Sequence, residues 1–324
     1  MIKSFAVEKA LSKMSVQEVN QSRGHEYMSD FELHVSNSAV FSGYQKPFEK
    51  ADYVVFGVPF DLTSTFRTGA RFAPLAVRQA SLNLETFSFR SNHDVEDLKI
   101  HDLGDLHISN NVEATMKRLE GSVRDLLKAC KTPIIIGGEH TLTLGAVRGV
   151  GGKDTAVVSF DAHLDLRDKY MDLTTSHTTF MRRLNEAAEP AEIVEIGTRA
   201  VCKEELMHAR KSGIQYYTTR EIQKKGTGVA VRTIKKMLEN CKRIYLTIDM
   251  DVLDPAYAPA VQNPEPNGLS TQALLDLVCC LCDGRTVGLD LVEVAPPYDQ
   301  GNTAIQAAKI LFEILCAIDK ARKS

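Results

Sequence analysis

The chain has 324 residues, of which 44% are hydrophobic and 25% charged, the balance of a globular protein and not of a disordered or fibrous one. A formal net charge of -3 leaves no basic footprint for a nucleic acid and no polybasic patch for a membrane surface, so a small soluble ligand is expected. No segment approaches the roughly 18 consecutive apolar residues of a membrane span.

Along the chain, Met1 to about Lys50 alternates short helical patterns with polar stretches and reads as an N-terminal arm. Its opening residues lack a secretory apolar core, and Glu8 and Glu18 speak against a transit peptide. From Tyr53 the rhythm changes. Apolar, β-branched runs recur as YVVFGVPF, TPIIIGGEH, TAVVSFDAH, AEIVEIGTR, RIYLTIDMD and TVGLDLVEV, starting at Tyr53, Thr132, Thr155, Ala191, Arg243 and Thr286. Between them, segments such as EATMKRLEGSVRDLLKAC and TGVAVRTIKKMLENC carry apolar residues at three- and four-residue spacing. Strands alternating with helices imply a mainly parallel sheet covered on both faces, because parallel neighbours need a crossover between them. The expectation is one three-layer α/β domain over residues 1–324, since no linker or low-complexity tract divides the chain. The seven cysteines are an odd count, and Cys130, Cys279, Cys280 and Cys316 sit in apolar runs. Buried thiols in a reducing cytoplasm are therefore expected, and Cys279, Cys280 and Cys282 lack the second Cys/His pair of a zinc site.

In parallel α/β folds the ligand lies beyond the carboxyl ends of the strands. His140 follows IIIGG, Asp161, His163 and Asp165 follow AVVSF, and Asp249 and Asp251 close IYLTI. Taken alone, the D-x-H-x-D triplet suits a strand end with a solvated loop equally well; six ligand-type residues at three strand ends point to metal. If the backbone stays extended past Phe160, alternate residues converge on one face. Imidazole with hard carboxylates and no thiolate suits Mn, Fe, Co or Zn, with a carboxylate majority leaning toward Mn. Four clustered Asp raise one another's pKa, a cost that two divalent ions remove while acidifying a shared water. Nearby, His177 in SHTTFMRR reads alone as a structural histidine, and Glu293 in GLDLVEV as a solvated carboxylate.

Together, GVPFDLTSTFRTGARFAP, GGEHTLTLG, SFDAHLDLRD, SHTTFMRR, IDMDVLDP and GLDLVEVAPPYD, in that order, resemble the ureohydrolase superfamily of arginases and agmatinases, especially its agmatinase-like branch. The resemblance covers about Tyr53 to Leu315. It implies an arginase-like sheet of about eight strands, two Mn2+ per subunit, and a homo-oligomer, trimer or hexamer. It also implies His140, Asp161, Asp165 and Asp249 on one ion and Asp161, His163, Asp249 and Asp251 on the other. A metal-bridging hydroxide then attacks a guanidinium carbon, releasing urea and an amine. By the same resemblance Asp165 orients the hydroxide, Glu293 clamps the guanidinium, and His177 shuttles protons near the mouth. Two dications, four Asp and one hydroxide sum to about minus one, and Glu293 adds to it, so the site attracts a guanidinium and disfavours phosphate.

The sequence departs from the family pattern at Gln262, Asn263 and Asn267 in AVQNPEPNG, and at Thr178, where Gly is common. LRDKYMDLTTS lacks the Asn/Ser arrangement that arginases use for the amino-acid end of arginine, which favours agmatine, giving putrescine and urea. The alternatives are guanidinobutyrate, aminopropylagmatine or arginine as substrate, or a noncatalytic subunit of the same fold.

Overall fold

The computed structural model describes residues 29–30, 34–36 and 40–323. Most of the expected N-terminal arm lies outside the described residues. The arm's last stretch is integral to the core: Phe41 is fully buried, packs edge-on against Phe312 with ring centroids 5.4 Å apart, and donates its N–H to Asp102.

Eight parallel strands form the central sheet: β2 (Tyr53–Val58), β5 (Ile100–Leu106), β6 (Thr132–Gly137), β7 (Thr155–Phe160), β8 (Glu192–Thr198), β9 (Gln215–Thr218), β10 (Arg243–Asp249) and β11 (Thr286–Val292). A two-residue strand, β1 (Val35–Ser36), pairs antiparallel to β5 at one edge, and β3 (Phe87–Ser88) and β4 (His93–Asp94) make a separate ribbon. The order is β1-β5-β2-β6-β11-β10-β7-β8-β9. The chain leaves β6, crosses to β7 three places away, and later fills the gap with β10 and β11. This gap marks the reversal of strand order where parallel sheets open a ligand crevice.

Both faces are covered, giving three layers. Alternate residues of one strand serve opposite sides: Val157 joins one cluster, while Ala156 and Val158 join the other. On one face lie α2 (Val112–Lys128), α3 (Leu142–Val150), α4 (Phe180–Ala187) and α5 (Lys203–Ser212). On the other lie α1 (Ala73–Ser81), α6 (Thr219–Lys225), α7 (Thr227–Met237), α8 (Thr271–Leu281) and α9 (Asn302–Lys323). Helix α2 forms where its spacing predicts, burying Met116, Leu119, Val123 and Leu126, and Asn111 caps it by accepting the Ala114 N–H at 2.9 Å. Each such fully buried aliphatic side chain contributes about 2 kcal/mol.

All six strands read from apolar runs are present; β5 and β9 are not legible that way. Strand β5 reads IHDLGDL, with two acids in a sheet interior, and its explanation is Arg78 of α1. This fully buried guanidinium holds Asp102 through Nε (2.8 Å) and Nη2 (2.9 Å), Asp105 through Nη1 (2.5 Å), and the Gly104 carbonyl (2.7 Å). The cysteine expectation fails in part. All seven are free, but Cys130 and Cys280 are exposed: Cys130 follows α2 in a left-handed turn (φ 58°), and Cys280 falls outside the buried stripe of α8.

Removing the cation strands a buried carboxylate, which typically costs about 3–5 kcal/mol. Arg78→Ala is therefore expected to lower unfolding stability by that amount in urea denaturation; a loss below about 1 kcal/mol contradicts the role given to this cluster.

Candidate metal centre and active site

Four adjacent strands, β6, β11, β10 and β7, end level with one another. Ile248 pairs with Phe160, Asp249 with Val292, and Leu291 with Ile136. Residues just past those ends are neighbours although far apart in the chain. Thus Asp161 and Asp249 emerge side by side, with Glu293 and His140 on the β11 and β6 side.

Beyond the strands the backbone does not stay extended, which corrects the geometry expected from alternate spacing. Asp161 accepts the His163 N–H at 2.6 Å and Asp249 accepts the Asp251 N–H at 2.8 Å, so two neighbouring strands finish in the same Asp-capped turn. Asp251 also takes the Ala162 N–H, tying the two turns together. Asp165 (φ 50°) and Glu293 (φ 68°) adopt left-handed backbone that few non-glycine residues tolerate, a strain that recurs at functional sites.

Two groups of potential ligand atoms result: His140, Asp161 and Asp249, and Asp161, His163 and Asp251, each gathered within 4.8 Å. Asp161 is common to both. His140 Nδ1 lies 3.0 Å from Asp161 Oδ2, 3.1 Å from Asp249 Oδ2 and 3.8 Å from Asp165 Oδ2; His163 Nδ1 lies 3.0 Å from Asp251 Oδ2. Burial, and then the neighbouring acids, push Asp165 and Asp249 well above the usual carboxylate range. Asp161 goes the other way: burial opposes its charge, but the adjacent imidazoles of His140 and His163 hold it low. Burial also opposes charge on His140, yet Asp161 and Asp165 raise it to about 9.

The residues fit divalent ions. His140 Nδ1 is buried within ion-pair distance of three carboxylates but aligned for a hydrogen bond with none, as a lone pair aimed at a cation would be. Its other nitrogen, Nε2, meets Thr247 Oγ1 at 2.8 Å, and Thr247 donates to the buried Asp290 at 2.5 Å. That carboxylate–hydroxyl–imidazole chain leaves Nδ1 free, the arrangement that orients a metal-binding histidine.

Glu293 is buried beside this cluster. Its Oε1 accepts the His140 N–H at 2.6 Å, while its buried Oε2 has no hydrogen-bond partner. Burial, then Asp249, raises its pKa well above the ordinary range. His177, also buried, contacts Thr63 and Thr65, and burial together with His163 and His140 lowers it to about 4. A cavity of about 320 Å³ opens above the cluster; its wall includes Asp165, Asp249, Asp251, His163, His177 and Glu293. Reasoning from sequence missed Glu139, Thr63, Thr247 and Asp290. The available signals were Glu139, an acid just past an apolar strand, and Asp290, an acid within one.

A model of the Arginase family matches residues 51–317. The chain belongs to the arginase family. Among relatives, it is 33% identical to an agmatinase of Bacillus anthracis over 282 residues, covering 85% of this chain and 95% of that one. It is 36% identical to the N(1)-aminopropylagmatine ureohydrolase of Thermococcus kodakarensis, over 84% and 92% of the two chains. The crystal structure of the agmatine ureohydrolase of Thermoplasma volcanium superposes with a TM-score of 0.80 at 36% identity, covering 86% of this chain and 93% of that one.

Against the arginase-family pattern, the unusual loop residues have physical roles. Gln262, fully buried, donates through Nε2 to Ser64 Oγ and the Arg67 carbonyl, stapling the loop after β10 to the loop after β2. Asn267 has φ 60°, a conformation that asparagine tolerates in place of glycine.

The metal-free folded state holds a proton on His140 up to about pH 9, against an ordinary 6.5. The stability this contributes is fully present below pH 6.5 and is lost as pH rises through about 9. A divalent ion on His140 would replace that proton, so the rise in melting temperature on adding Mn2+ is expected to be larger near pH 8.5 than near pH 6, as read by thermal fluorimetry. A rise independent of pH contradicts this coupling.

Proposed function

We propose that the protein is a manganese-dependent amidinohydrolase that cleaves agmatine to putrescine and urea. The observation that carries this is the convergence of His140, Asp161, His163, Asp249 and Asp251 at the floor of a cavity that Glu293, with its unpartnered Oε2, also lines.

His140, Asp161, His163, Asp165, Asp249 and Asp251 would hold two Mn2+ ions, which would supply an acidified water and offset the charge of the acids. Glu293 binds the guanidinium through Oε2, since Oε1 is committed to the His140 N–H, and this fixes the face that its planar carbon presents. Asp165, on the cavity wall 3.8 Å from His140 Nδ1, orients the attacking water and passes its proton toward the leaving amine. His177 is neutral at operating pH and exchanges protons between the cavity and bulk water.

The tail end of the substrate is set by two opposing residues on the cavity wall. Arg167 lies over the Tyr170 ring at 4.8 Å, while the Glu265 carboxylate is half-exposed, 3.9 Å from His163 Nε2. Glu265 favours a cationic tail such as that of agmatine. Arg167 favours the second reading, a guanidino acid. Assembly as a trimer or hexamer belongs to the same proposal and is supported by the exposed side chains of Phe72, Leu75 and Ile305 on or beside the packed pair α1 and α9; light scattering tests it. The seven free thiols support a cytoplasmic setting.

Urea release by the Mn-loaded protein on agmatine, aminopropylagmatine, arginine and 4-guanidinobutyrate tests the proposal. Agmatine is expected to be hydrolysed fastest, and Asp251→Ala to lose about two orders of magnitude or more. Silence on all four sinks the hydrolase reading. For the tail, Glu265→Gln is expected to lower kcat/KM for agmatine about fivefold and leave 4-guanidinobutyrate unchanged. Equal losses on both substrates assign Glu265 to His163 instead.

A further inference from the structure

Glu139 is fully buried at the end of β6, yet it does not line the cavity. Its Oε2 accepts the Thr63 N–H at 2.7 Å, and its Oε1 accepts the hydroxyls of Thr63 and Thr141, each at 2.6 Å. Gly138 makes the approach possible, because a Cβ there meets the Phe60 carbonyl oxygen at 1.9 Å, and the Glu139 N–H bonds to that same carbonyl. Thr63 in turn lies between Glu139 and His177. Its Oγ1 accepts the His177 backbone N–H at 3.2 Å and stands 3.3 Å from His177 Nδ1.

We infer that Glu139 and Thr63 form a hydrogen-bond relay that holds His177 as its Nδ1–H tautomer, leaving Nε2 as the proton-accepting atom toward the cavity. This rests on the proposed role of His177 and adds two positioning residues to it. A hydroxyl has one proton, and that of Thr63 is committed to a carboxylate that takes three donors. The Thr63 oxygen can therefore only accept, so the nitrogen facing it carries the hydrogen. Nε2 is left with a lone pair, which meets Thr65 Oγ1 at 3.0 Å, and Thr65 lines the cavity. When Nε2 takes a proton, Nδ1–H stays on Thr63. When Nε2 releases that proton to the leaving amine or to water, the starting tautomer returns. No proton travels along the relay itself.

A second role for Glu139, clamping the loop after β2, runs through the Thr63 backbone N–H and survives Thr63→Val. That variant therefore separates positioning from architecture. The test uses nitrogen NMR of the full-length protein labelled with 15N-histidine and loaded with diamagnetic Zn2+, which accepts the same imidazole and carboxylate donors; the His177 signals are assigned by their loss in His177→Gln. The wild-type protein is expected to show Nδ1 protonated and Nε2 bare. Thr63→Val is expected to shift His177 toward the other tautomer and, in the Mn-loaded protein, to lower kcat for agmatine about a hundredfold with KM changed less than about twofold. Thr63→Ser is expected to restore both. A wild-type Nε2–H tautomer overturns the inference, as does a folded Thr63→Val protein that keeps the Nδ1–H form. Absence of urea release from every guanidino substrate, with the wild-type Nδ1–H form and its loss in Thr63→Val observed, removes the proposed activity and leaves the relay standing.

Discussion

Buried carboxylates repel one another, and this chain gathers Asp161, Asp165, Asp249, Asp251 and Glu293 at one crevice. Such a cluster is tolerable only with compensating positive charge or retained protons. The raised pKa values of Asp165, Asp249 and Glu293 express the second solution in the metal-free state, and the unaligned Nδ1 of His140 points to the first. Much of the surrounding structure holds these groups in place against their repulsion.

Level strand ends supply the first restraint. With β6, β11, β10 and β7 adjacent and aligned, the Asp-capped turns after β7 and β10 interlock through Asp251 and the Ala162 N–H. Beneath them runs a buried polar row, in which Asp290 accepts from Thr247, Thr143 and Tyr245 while Thr247 meets His140. Above them, Glu139 fastens the loop after β2, and Gln262 staples that loop to the one after β10. The histidines at the two sides of the cluster are each steered by a threonine that leans on a buried acid: His140 by Thr247 and Asp290, His177 by Thr63 and Glu139. Hydroxyl intermediaries give direction to a hydrogen bond without placing a second negative charge against the imidazole.

The same logic of compensation operates far from the crevice. Arg78 lets β5 carry Asp102 and Asp105 into the sheet, and Asp102 also anchors the buried Phe41 segment through its N–H. One buried cation thereby joins α1, β5 and the chain that precedes the first long strand.

The sequence by itself determined the fold class and the candidate ligands, because both depend on local pattern. A fully buried parallel strand reads as a continuous apolar run, and a polar residue at its carboxyl end stands out against that run; β2, β6, β7, β8, β10 and β11 and all six ligand-type residues were legible this way. Strand β5 was not, since its acids are permitted only by an arginine on another element. The strand order, the turns that bring His163 and Asp251 around, the unpartnered Oε2 of Glu293, and the partners of His177 were likewise settled only in three dimensions. Each depends on contacts between residues remote in sequence, such as Glu139 with Thr63 or Gln262 with Arg67, whose donors and acceptors acquire direction only once the chain has folded.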